Sequence, residues 1–99
     1  MKRIAVDGLP DDPLAAAGVF HQHWLAHVED FLGKGEDVMI VVPSADHTHS
    51  EWRLAIVAGL ARKHTPRRVN MVAGEGEAVD ATETYLAAAP GITGQYLET

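Results

Sequence analysis

Asp37-Val38-Met39-Ile40-Val41-Val42-Pro43-Ser44 decides the fold. The run from Val38 to Val42 is continuously apolar, mostly β-branched, and closed by proline. It lacks the polar alternation of a half-solvated strand, so both its faces must be covered. That is the pattern of a central strand in a parallel sheet. Ser44 to His49 follows as a polar loop at its carboxyl end. A helix is predicted over residues 50–63. Trp52, Leu54, Ala55, Ile56, Val57, Ala58, Leu60 and Ala61 make it apolar almost all round, which predicts burial on several sides.

Working upstream, Asp11 or Asp12 can cap a helix whose first turn holds Pro13. Its periodic pattern runs unbroken to Leu32 and stops at Gly33-Lys34-Gly35. Leu14, Ala17, Gly18, Phe20, Trp24, Leu25, Val28, Phe31 and Leu32 give it a face wide enough to bury two surfaces. Before it, Arg3-Ile4-Ala5-Val6 reads as a strand ended by Asp7-Gly8-Leu9-Pro10.

Downstream, Arg68-Val69-Asn70-Met71-Val72-Ala73 is a third strand. Gly74-Glu75-Gly76 turns the chain into a helix over residues 77–89, stopped by Pro90. Residues 91–98 read as a turn and a last strand. The order βαβαβαβ, with short connections, implies a single α/β domain over residues 1–99. It would hold a four-stranded parallel sheet in order 1-2-3-4 with right-handed crossovers. The sequence leaves open which face the last helix covers, so a Rossmann-like sandwich of either two or three layers is expected.

Composition narrows the function. A chain of 99 residues buries only about 60–65% of its unfolded surface. With two residues each of Trp, Tyr and Phe, alanine and aliphatic side chains must fill the core. A partner subunit would supplement so thin a core. No cysteine is present, which excludes disulfides and thiolate metal sites and fits a reducing cytoplasm. The net charge of -6 argues against nucleic acid, because binding phosphates needs a clustered positive surface. The basic cluster Arg62-Lys63-His64 with Arg67-Arg68 sits at a helix end, where the dipole stabilises cations. No apolar run is long enough for a membrane span or a signal peptide.

From Val38 onward, four segments in order resemble the C-terminal half of a short-chain dehydrogenase/reductase. Residues 37–44 sit where that family has a strand ending in its catalytic serine, here Ser44. Leu54-Ala55-Ile56-Val57-Ala58-Gly59-Leu60-Ala61-Arg62 is similar to the helix after its active-site lysine. Arg67-Arg68-Val69-Asn70-Met71-Val72-Ala73-Gly74 is similar to its Arg-Val-Asn-x-Val-x-Pro-Gly strand. Ile92-Thr93-Gly94-Gln95-Tyr96-Leu97-Glu98 is similar to its terminal Thr-Gly-Gln strand. The resemblance implies a Rossmann-like fold. It also implies that Ser44, Asn70, Thr93, Gly94 and Gln95 keep structural places.

The departures imply lost chemistry. The family's glycine-rich turn brings backbone N–H groups to a dinucleotide pyrophosphate; here residues 4–14 carry Gly8 alone, beside two prolines. Its tyrosine proton donor and the lysine four residues on fall at Ser50 and Leu54, neither of which can do that work. The expectation is a truncated, non-catalytic bacterial pseudoenzyme of the cytoplasm, without cofactor. Its partner would be a second copy or a full-length relative. The first two helices resemble the pair that forms the family's dimer interface, and Phe20, Trp24, Leu25, Trp52 and Ile56 are the residues expected there.

The six histidines supply the competing reading. His23 and His27 share a helix face, one turn before Asp30. His21 falls in the apolar arc, as an interface or core histidine would. Asp46, His47 and His49 lie in the loop at the carboxyl edge of the sheet, where parallel sheets bind ligands. Imidazole and carboxylate there could hold a small ligand or a metal. No His-Glu-x-x-His motif or nucleophile elbow accompanies them.

Overall fold

The structure, a computed structural model, describes residues 1–99. Four parallel strands, β1 (Lys2–Ala5), β2 (Val38–Val42), β3 (Val69–Ala73) and β4 (Tyr96–Glu98), lie in the order β1-β2-β3-β4. The helices are α1 (Pro13–His23), α2 (Leu25–Gly33), α3 (Ser50–Lys63) and α4 (Gly76–Ala87), with a 3-10 turn at His47–His49. The continuous apolar runs are the central strands, as expected. Val38 pairs with Val69 and Val42 with Ala73, and every β3 residue is buried.

Alternation along the strands separates two cores. Ile4, Val38, Ile40, Val42, Val69 and Met71 point to one face, where Phe20 of α1, Val28 and Leu32 of α2, and Val57 and Leu60 of α3 cover them. Met39 and Val72 point to the other, where Val79 and Leu86 of α4 meet them. The sandwich therefore has three layers. Because the strands advance in one direction, a helix on the opposite face means a crossover of opposite hand. The expectation that every crossover is right-handed is thus incorrect, since the β3–α4–β4 connection differs in hand from the first two. The long return through residues 88–95 makes that path feasible. Asn70 and Thr93 fix it to the start of β3.

The predicted single helix from the first turn at Pro13 to Leu32 is two. It breaks at Trp24, whose φ of -120° leaves the helical range. The buried positions Ala16, Phe20, Val28 and Leu32 all follow a spacing of four. At 3.6 residues per turn, each such step drifts about 40° around a straight helix. Four steps would carry Leu32 off the face that buries Ala16. The break resets the stripe onto the sheet, while Trp24 N–H still reaches Phe20 O at 2.9 Å and Val28 N–H reaches Trp24 O at 3.0 Å.

α3 departs from expectation in a different way. It buries one side only, through Arg53, Val57, Leu60 and Ala61. Leu54 and Ala55 are exposed, so the apolar surplus stays on the surface. No helix is long and apolar enough to cross a membrane.

Candidate functional site

The loop after β2 scatters the residues that a metal would need. The Asp46 carboxylate caps the 3-10 turn, accepting from Thr48 N–H at 2.9 Å and also from the Thr48 hydroxyl. These bonds, the hydroxyl's first, hold its carboxyl below the usual range. His47 is exposed. His49 turns inward and is buried. Its Nε2 lies 2.9 Å from Asp11 O, and its Nδ1 lies 3.0 Å from the Trp52 indole nitrogen. An indole N–H only donates and a carbonyl only accepts. Nδ1 must therefore accept, Nε2 must donate, and the ring is neutral. Both nitrogens are used in tying the start of α1 to α3, so His49 offers no lone pair to a ligand. No group of three His, Cys, Asp or Glu side chains is placed to hold a metal. His23 and His27 are exposed, with the His27 ring edge-on to Phe31 at 5.3 Å.

Ser44 is exposed at the end of β2. The other signature residues pin the return loop to β3. Buried Asn70 donates from Nδ2 to Ile92 O at 3.1 Å and accepts Gln95 N–H at 3.1 Å. Thr93 Oγ1 accepts Val69 N–H at 3.0 Å. Gly94 has φ +73, a conformation that favours glycine, and a Cβ there would press on Ala61 Cβ at 3.1 Å. The exposed Gln95 side chain reaches only Thr93 O, at 3.4 Å.

Sequence reasoning missed Arg53, a cation on the buried side of α3 and 2% exposed. No carboxylate pairs with it. Its Nη1 donates to Pro43 O at 2.9 Å and to Tyr96 Oη at 3.0 Å. The guanidinium lies over the rings of Trp52 at 5.5 Å and Tyr96 at 5.7 Å. Two π faces and two oxygens thus replace a counter-ion. Nε is buried without a partner. The only advance signal was an arginine at a core-facing position.

The expected interface residues divide. Phe20 is fully buried against Trp52, with ring centroids 5.9 Å apart, and presents no surface; its place in an interface is corrected to a core role. Trp24, Leu25, Trp52 and Ile56 are half-buried at the rim of the same core. Leu25, Ile56, Ala55 and Gly59 border a groove of about 290 Å³ between α2 and α3. His21 lies exposed at its edge instead of in the core. Glu29 and Lys63 close it with an ion pair of 2.7 Å, and His64 joins Glu29 at 3.0 Å. The Lys63 ammonium foremost, then His64, keeps the Glu29 carboxyl below its ordinary range despite partial burial.

Ser50 opens α3, and Leu54, 49% exposed, stands one turn on, outside the residues that line the groove. A family model described as SDR-like, short chain dehydrogenase-like protein, matches residues 4–99. No curated protein and no solved structure matches the chain.

Proposed function

The chain belongs to the SDR-like family of short chain dehydrogenase-like proteins, and on that premise we propose that it is a non-catalytic, self-associating member whose working surface is the exposed side of α3 and its groove with α2. One observation carries this reading. The two α3 positions where the resemblance expects a proton-donating tyrosine and its lysine hold Ser50 and Leu54, and Leu54 is apolar and about half exposed. A serine hydroxyl at that place lacks both the acidity and the neighbouring cation for proton transfer to a carbonyl. An aliphatic side chain that cannot do chemistry, held in water on an apolar helix, suits an interface instead.

The test has two arms. Purified protein is assayed for NADH and NADPH oxidation with aldehydes and ketones, and for the reverse reaction with alcohols. It is also weighed by light scattering at micromolar concentration. The expected result is no turnover above buffer and a dimer. Turnover proportional to protein concentration would overturn the non-catalytic half, and a monomer the self-associating half.

A further inference from the structure

We propose that Arg53 anchors a binding site for a small monocarboxylate, at the carboxyl edge of the sheet where the end of β2 leads into α3. The site is independent of self-association, because Arg53 lies on the buried side of α3 and Leu54 on the exposed side.

Arg53 is the one Lys or Arg at that edge. The chain has eight such residues. All the others lie at the opposite edge: at the start of β1, just before β2, in the last turn of α3, or just before β3. Asp7, Asp46, Glu75 and Glu98 end or follow the four strands at the carboxyl edge. No carboxylate pairs with Arg53. A cation that is 2% exposed thus stands without a counter-ion in a chain of net charge -6.

The guanidinium is fixed on one edge and free on the other. Nη1 makes both hydrogen bonds, to Pro43 O and Tyr96 Oη, and the group lies over the rings of Trp52 and Tyr96. Nε and Nη2 make none, and of these two only Nε is shut off from solvent. Nη1 sits on the Cδ side of a guanidinium, so Nε and Nη2 share the opposite edge, where their N–H bonds run side by side. That edge is the fork that takes both oxygens of a carboxylate. The tether to Pro43 and Tyr96 accounts for Nη1. It accounts neither for the buried charge nor for the idle fork, and a buried donor without an acceptor costs stability. An anion that enters beside Nη2 supplies both the acceptor and the counter-charge. Because the guanidinium is already held, little ordering remains for binding to oppose.

Charge selects the class of ligand. One guanidinium neutralises one negative charge. A dianion such as sulfate would keep an uncompensated charge among the carboxylates of this edge. A planar carboxylate matches both the single charge and the two parallel N–H bonds.

The experiment is a heteronuclear NMR titration of the whole chain with sodium acetate, at an ionic strength held constant with sodium chloride. It follows the Arg53 Nε–H signal, assigned through the bonds of its own side chain. Acetate is expected to shift that signal saturably, half complete at about 1–10 mM. Sulfate at equal ionic strength should leave it in place. Arg53→Lys keeps the charge and loses the fork. Followed at the Ser44 and Tyr96 backbone N–H signals, it should need at least about tenfold more acetate than wild type. The absence of a saturable shift up to about 100 mM acetate overturns the site. An equal response to sulfate overturns the monocarboxylate assignment, and a lysine variant that binds as tightly as wild type overturns the fork. If Arg53→Lys does not fold, the wild-type acetate and sulfate titrations still decide.

Discussion

The Trp52 indole N–H donates to His49 Nδ1 at 3.0 Å, and the same imidazole donates from Nε2 to Asp11 O at 2.9 Å. A residue that reads as a ligand in the sequence is thereby a neutral strut between α1 and α3. Replacing His49 with leucine removes the partner of the Asp11 carbonyl and of the Trp52 indole N–H, both of them in part-buried bonds. The expected loss is about 2–3 kcal/mol in urea unfolding. His49→Leu and Trp52→Phe should also couple in a double-mutant cycle, by about 1 kcal/mol. Strict additivity would show that the bond contributes nothing.

Glu29 gives the fold a defined acid sensitivity. Its folded-state carboxyl is held low by Lys63 and His64, so it is protonated more readily in the unfolded chain. A group of that kind stabilises the fold at pH above its ordinary value of 4.5, and the contribution disappears as pH falls through the lower folded value. The melting temperature of wild type minus that of Glu29→Gln should be positive at about pH 6 and shrink toward about pH 3. A difference that grows on acidification would contradict the pairing.

Arg53 separates packing from charge. Its guanidinium lies over the rings of Trp52 and Tyr96, its whole side chain is buried, and its Nε has no acceptor. Arg53→Ala should cost about 2–4 kcal/mol by removing stem, ring contacts and hydrogen bonds together. Arg53→Met keeps the stem's volume and removes the unpartnered donor, and should cost less than half as much in the same denaturant titration. Equal losses would mean that the guanidinium itself, not its stem, supports the site.

These side chains mark where sequence reading stopped. β2 and α3 were legible to the residue, because a β-branched run ended by proline and a helix between polar ends are local signals. The break at Trp24 was not, since a spacing of four and a spacing of 3.6 differ only after several turns. The face of α4 was not either. A rule that holds for most crossovers predicted the wrong hand, and only the packing of Val79 and Leu86 on Met39 and Val72 reveals it. The site was half visible. Ser50 and Leu54 were placed from the resemblance, whereas the inward turn of His49 and the burial of Arg53 depend on residues distant in the chain.

The central claim, that α3 is a surface for association and no longer a catalytic helix, is tested most directly by light scattering of wild type beside Leu54→Glu. The account predicts a wild-type dimer and a folded Leu54→Glu monomer, because the substitution puts a charge on the apolar exposed surface of α3 while leaving its buried side, Arg53, Val57, Leu60 and Ala61, untouched. A wild-type monomer, or a dimer that Leu54→Glu leaves intact, would contradict it.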